Sequence, residues 1–332
     1  MNRDFAEAKP MSIDDIPVID FAPLMSQGNL KAVSKPLMLA ALNTGFFYIK
    51  NHGIDPKVIQ AALAASKRFF HLSHEEKTIV SVNTSQRGWL GPKMATLDGA
   101  KTHDLKEIFF TGPEIWSNEM WAKRCQTPLI THNLWPSSLP ELQGGLLAYY
   151  NATCSLGRQV LKAIAIGLGE DSDFFDQRYT NPLARSQLVY YPRSTQQDED
   201  EERFGAAPHT DFGVITLLYQ DDNGGLQVLN KQQEWVEAKP IENTFVCNIG
   251  DLLQRWTNGY LSSNLHRVIN RSSNERFSMP IFFDPDADTV IDPSDFKKFA
   301  NDVSHYPPIK VADYIHAKNT KAFAQYNQPQ DK

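Results

Sequence analysis

Pro208-His209-Thr210-Asp211-Phe212-Gly213 holds residue types at a spacing that could do chemistry. In an extended chain residues i and i+2 project to the same side, so the imidazole of His209 and the carboxylate of Asp211 come together. A third metal ligand is available from His266, in Asn264-Leu-His-Arg-Val268 on a different predicted strand. Two histidines and one carboxylate on one face of a metal form the donor set of non-haem Fe(II) sites, which leave positions open for a co-substrate and dioxygen. The same three donors are formally compatible with a hydrolytic zinc, and a His-x-Asp pair by itself occurs often by chance.

Arg276-Phe-Ser278 gives that pair a context. Arg276 and Ser278 share one strand face while Phe277 and Met279 take the other. A buried guanidinium and hydroxyl beside a metal are costly unless an anion fills the space, and a planar guanidinium binds a carboxylate through two parallel hydrogen bonds. Triad and clamp together predict a site for a dianionic keto acid such as 2-oxoglutarate, one end on the metal and the other on Arg276 and Ser278. A zinc hydrolase would leave the clamp unexplained. Tyr191, in Val189-Tyr-Tyr-Pro192, is positioned to add a hydrogen bond to the distal carboxylate; its structural alternative is a core-filling aromatic. Pro280 removes a ladder donor and predicts a sheet edge or a bulge just past the clamp.

These residues need strands to hold them, and β-type runs with turn signals between them recur through the second half: 186–191, 214–219, 226–229, 244–249, 265–269 and 277–283. Such spacing fits an antiparallel sandwich or jelly roll better than a doubly wound parallel sheet. The first half is mixed α/β. Strands are predicted at 16–21 and 45–50, and helices over 30–43, 56–70 with its Pro near the N-terminus, and 139–168 with Gly169 as the stop. The acidic run 198–202 reads as a solvated loop.

The 332 residues carry 33 Lys and Arg against 39 Asp and Glu, a net charge of −6, without a basic block. That balance gives no electrostatic footprint for nucleic acid or an anionic membrane and favours a small-molecule partner. No apolar run is long enough to span a bilayer, and the start lacks the apolar core of a secretory signal, so a cytoplasmic location is expected. Cys125, Cys154 and Cys247 are far apart and read as buried thiols. Glycine-rich phosphate-binding motifs are absent from the sequence.

At these residues the sequence resembles the isopenicillin N synthase-like branch of the Fe(II)/2-oxoglutarate-dependent dioxygenases. The resemblance spans most of the chain, through Ile16-Pro-Val-Ile-Asp-Phe21, Gly45-Phe-Phe-Tyr-Ile-Lys-Asn-His-Gly53, Asp104-Leu-Lys-Glu107, His209-Thr-Asp-Phe-Gly213, Gly224-Gly-Leu-Gln-Val228, Asn248-Ile-Gly-Asp251, Trp256-Thr-Asn-Gly259, His266-Arg-Val268 and Arg276-Phe-Ser278. It implies an α+β chain with a double-stranded β-helix (jelly-roll) core. It also implies Fe(II) on His209, Asp211 and His266, with 2-oxoglutarate on Arg276, Ser278 and Tyr191. Val189 departs from the pattern, standing where plant relatives commonly carry Asn.

The expected organisation is a tail at 1–15, a mixed α/β region at 16–170 and a jelly-roll core with a C-terminal helix at 171–332, together one structural unit. The expected reaction couples oxidative decarboxylation of 2-oxoglutarate to O2-dependent hydroxylation of a small molecule, with ascorbate as a candidate reductant. Desaturation or ring closure could follow the same hydrogen abstraction. Competing readings are an oxidase of the isopenicillin N synthase or aminocyclopropane carboxylate oxidase type that uses no keto acid, and a non-catalytic small-acid-binding protein. By position, Arg87, Phe109, Phe110 and Phe282 could border the substrate pocket, against surface, ion-pair or core roles for the same residues. Substrate identity and oligomeric state are not legible.

Overall fold

A computed structural model describes residues 5–10, 12, 15–82, 86–95, 102–115, 127 and 129–323; Cys125 lies outside them. Among the described residues two antiparallel sheets face one another. The larger runs in the order β1 (Val18–Asp20), β2 (Phe46–Lys50), β10 (Thr244–Ile249), β7 (Ile215–Gln220), β12 (Arg276–Phe283), β5 (Arg185–Tyr191), β4 (Glu107–Thr111), β3 (Gly88–Leu90). Only its β1–β2 pair is parallel. The smaller sheet is β6 (Ala206–His209), β11 (His266–Val268), β8 (Leu226–Leu229), β9 (Trp235–Glu237). This is the jelly roll expected from the strand spacing, with mixed helices around it.

Period-two alternation gives the larger sheet two different faces. Phe109, Leu188, Ile215, Leu217, Phe277, Met279, Ile281 and Phe283 join the main apolar core, built with the helices over 30–43, 56–70 and 141–168. Gln187, Val189, Tyr191, Thr216, Leu218, Arg276, Ser278, Pro280 and Phe282 turn the other way, toward the smaller sheet, and line a cavity. The 28-residue helix Glu141–Leu168 ends at Gly169 in the left-handed conformation, as the sequence predicts. Asp55 caps the helix Pro56–Phe70 through the Lys57 amide at 2.8 Å. Beyond the smaller sheet, Lys9 bridges Val236 and Arg267 holds the Glu7 carbonyl, so residues 5–10 pack against the sheet edge.

Two expectations are corrected. Residues 196–200 form a short helix rather than a loop, because Thr195 and Asp198 make a reciprocal capping box. Pro280 lies in an interior strand, between β7 and β5, with neither edge nor bulge: the register is unshifted on both sides, and the β5 ladder lapses only opposite Met279 and Pro280. The Met279 carbonyl beside it accepts from the Tyr149 hydroxyl at 2.6 Å, which ties this part of the strand to the long helix.

Candidate active site

His209 closes β6 and His266 opens β11, and the antiparallel register sets them directly opposite. Their ring centroids are 4.2 Å apart, and Phe46 packs edge-on against His266 at 5.3 Å. Asp211, just past β6, brings Oδ1 to 3.6 Å from His266 Nε2. One ligand atom from each of the three lies within 4.8 Å of the others.

The remaining atoms of these side chains are committed elsewhere. His209 Nδ1 lies 2.7 Å from the Ala207 carbonyl, which can only accept, so the proton sits on Nδ1 and Nε2 offers its lone pair. His266 Nδ1 faces the Asn264 carbonyl in the same sense at 3.4 Å. Asp211 Oδ2 accepts from the Thr216 hydroxyl at 2.6 Å and the Asn248 amide at 2.7 Å, which leaves Oδ1 for the centre. Burial, followed by the neighbouring His266, depresses the His209 imidazole to about 3, so it stays neutral. Burial alone would raise the Asp211 carboxyl; the His266 and His209 imidazoles and the Thr216 and Asn248 hydrogen bonds outweigh it and hold the group below its ordinary value. Neutral imidazole and charged carboxylate are the ligand forms a divalent ion needs.

Arg276 stands across the cavity from the triad, opposite Tyr191 in the β12–β5 register. It is 1% exposed. Nε donates to the Gly224 carbonyl, Nη2 to Gln220 Oε1 at 3.3 Å, and the guanidinium lies 4.7 Å from the centroid of the Tyr191 ring. Nη1 is buried with no hydrogen-bond partner. A lone guanidinium donor left on a cavity wall fits an incoming carboxylate. Gly225, at φ +90°, shapes the turn behind it: a Cβ there would meet the Ile269 carbonyl at 2.3 Å. Ser278 and Tyr191 line the same cavity, of about 80 Å³, which opens beside a second of about 60 Å³. The two share Lys106, Gln187, His209, Asp211 and Phe282.

The second cavity, hereafter the outer cavity, shares His209 and Asp211 with the first but not Arg276, and it separates the substrate expectations. Phe282 borders it. Phe109 does not: it lies on the opposite face of β4, fully buried against Phe69 at 4.5 Å, because Lys106, Ile108 and Phe110 take the cavity side. Phe110 stands one layer back, edge-on to Phe323 at 5.7 Å, and Phe323 is on the wall. Arg87 is neither a surface residue nor among the described residues lining either cavity. It is fully buried beside Gly112 and donates to the Gln86 and Leu129 carbonyls. Sequence reading missed Lys106, Gln187, Thr216, Asn248 and Asn319. Counting backward by twos from Tyr191 and from Ile108 would have found Gln187 and Lys106.

The 2OG-Fe(II) oxygenase superfamily profile matches residues 182–285, and the profile of the N-terminal region of non-haem dioxygenases in morphine synthesis matches residues 16–138. A probable iron/ascorbate oxidoreductase of Dictyostelium discoideum is 37% identical over 306 residues, covering 83% of this chain and 82% of that protein. The 2-oxoglutarate-Fe(II) type oxidoreductase hxnY of Emericella nidulans is 32% identical, covering 93% and 90%. Among solved structures, a full-length Neurospora crassa protein in complex with alpha-KG and thymine superposes with a TM-score of 0.79 at 27% identity, covering 95% of this chain and 99% of that one. The chain therefore belongs to the 2OG-Fe(II) oxygenase superfamily, and is an Fe(II)- and 2-oxoglutarate-dependent dioxygenase that uses O2 to oxidise a small molecule.

Proposed function

We propose that His209, Asp211 and His266 hold the Fe(II), that Arg276 and Ser278 bind the far carboxylate of 2-oxoglutarate with Tyr191 beside them, and that the outer cavity receives the substrate for hydroxylation. The observation that carries this reading is one cavity with three converging ligand atoms at one end and an unpartnered guanidinium nitrogen at the other. Bound there, iron would activate O2, the oxidant, and the keto acid would supply two of its four electrons by decarboxylating to succinate and CO2, the other two coming from the oxidised C–H bond. The chain supplies placement. Asn248 and Thr216 keep one carboxylate oxygen of Asp211 turned to the metal, and Ala207 fixes the His209 tautomer. Phe46, Val189, Leu218, Leu226 and Val268 give the cavity apolar walls that limit water around the reacting centre.

The free thiols Cys154 and Cys247 support a reducing, cytoplasmic setting, and the charge of −6 supports a partner other than nucleic acid. Among the described residues no helix is long and apolar enough to cross a membrane. The test is anaerobic titration with Fe(II) and 2-oxoglutarate followed by admission of oxygen. Wild type should bind both and release succinate; His209→Ala should lose Fe(II) affinity by at least about 100-fold, since removing a ligand costs no less than the largest outer-shell changes. Unchanged succinate release in that variant would defeat the assignment.

A further inference from the structure

We infer that the outer cavity is built for an uncharged, carbonyl-bearing small molecule, with Lys106 donating to the carbonyl oxygen; the inference rests on the site reading above. Lys106 immediately precedes β4 and projects on the same side as Ile108, onto the wall common to both cavities. Its side chain is 9% exposed, an uncommon burial for a lysine. The ammonium has three N–H groups, and Asp104 stands at 2.8 Å on one side of it. Burial by itself disfavours the charged amine, but the Asp104 carboxylate, with Tyr191 and Asp211 further off, outweighs it and holds the group above its ordinary value. Lys106 is therefore a strong donor with capacity to spare on a cavity wall.

The charges around it are already balanced. Asp104 is fixed in place, accepting from the Ala207 amide at 3.0 Å, and is itself buried, so it neutralises Lys106 from within the protein. Arg185, on the same wall, is paired with Asp284 at 2.9 Å. Lys318, whose ammonium lies over the Phe212 ring at the cavity, is paired with Asp251 at 3.2 Å. Iron with its carboxylate ligand and the keto acid with Arg276 complete a neutral set. Among the described residues every cation at the outer cavity thus has its own carboxylate. A substrate carrying a buried charge would find no counter-ion, which is costly, whereas a neutral carbonyl accepts an N–H of Lys106 without disturbing the pair. Phe212, Phe282, Phe323 and Ile108 supply apolar walls for the body of such a molecule.

The experiment uses three probes on one ring, benzamide, benzoate and benzylamine, each titrated calorimetrically into the anaerobic enzyme loaded with Fe(II) and 2-oxoglutarate. Benzamide should bind at least about tenfold more tightly than either charged probe, and Lys106→Met should remove that preference, as expected for one charge-assisted hydrogen bond. Because Lys106→Met leaves Asp104 buried without its partner, Asp104→Asn gives a second reading. It frees the lysine charge, and should shift the preference from benzamide to benzoate by at least about tenfold. Failure of benzamide to bind, a wild-type preference for benzoate or benzylamine, or an Asp104→Asn variant that still favours benzamide overturns the inference. Loss of Fe(II) or 2-oxoglutarate binding in wild type would instead count against the site reading beneath it.

Discussion

Asp211 presents one carboxylate oxygen to the two histidines because the other is held by Thr216 and Asn248. A carboxylate with both oxygens free could rotate away or chelate differently, so in the proposed centre these two side chains would act through the ligand and not on the metal. Asn248→Ala should weaken Fe(II) binding by about 10- to 100-fold, the usual cost of removing an outer hydrogen bond to a ligand. Chelator competition measures it. If Asn248 merely filled the core, its loss would lower stability and leave metal affinity within about twofold. The proposed ligands were readable in the sequence, since His209 and Asp211 need only the i, i+2 rule and His266 a second strand. Their supports were not. Asn248 and Thr216 reach Asp211 from two further strands, so their roles depend on a fold that one-dimensional spacing does not contain, whereas Lys106, two residues from both Asp104 and Ile108, lies within reach of the i, i+2 rule. Arg87 shows the reverse error: by position it reads as bordering the substrate pocket, or else as a surface or ion-pair residue, yet it is fully buried and donates to the Gln86 and Leu129 carbonyls.

At the scale of elements, the site rests on strands whose two faces do different work. β12 buries Phe277, Met279, Ile281 and Phe283 under the helices while turning Arg276, Ser278, Pro280 and Phe282 to the cavity, so a one-residue slip would exchange clamp and core. Helix packing is what holds the register. Gly157 lets the long helix approach β12 closely, for a Cβ there would lie 2.7 Å from a Phe283 ring carbon. Gly157→Ala gains about 1 kcal/mol of helix propensity, but overpacking a ring that has no room to retreat costs about 1–3 kcal/mol. The balance should be a loss of about 1 kcal/mol, seen as a lower denaturation midpoint at unchanged slope; a stabilised variant would show that helix and sheet are not in tight register. The long elements were legible because their periodicity is strong. β3, β4 and β9 were not, for different reasons: β3 has no exposed face to alternate against, and β9 has only three residues. On β4 the Phe109-Phe110 pair conceals which ring faces the core.

For the molecule as a whole, the proposed clamp is a cost carried until the keto acid arrives. Arg276 is buried, and its described partners are a carbonyl, an amide oxygen and the face of a ring, none of them an anion. An arginine stays charged at any physiological pH, and a buried charge without a counter-ion destabilises the fold by several kcal/mol less whatever its neutral partners return. In metal-free protein, Arg276→Met should therefore raise the melting temperature despite two lost hydrogen bonds. A net gain of about 1 kcal/mol corresponds to about 1.5 °C for a chain of this size. Saturating ligand should act the other way. Fe(II) with 2-oxoglutarate at about 100 times its dissociation constant stabilises the wild type by about 2.7 kcal/mol, or roughly 4 °C, and the variant should lose most of that increment because the carboxylate has lost its guanidinium. Paired thermal scans of both proteins, anaerobic and with and without ligand, decide the matter. A metal-free variant that melts well below wild type would mean that Gly224, Gln220 and Tyr191 already offset the charge, and that the fold holds Arg276 at no cost to itself.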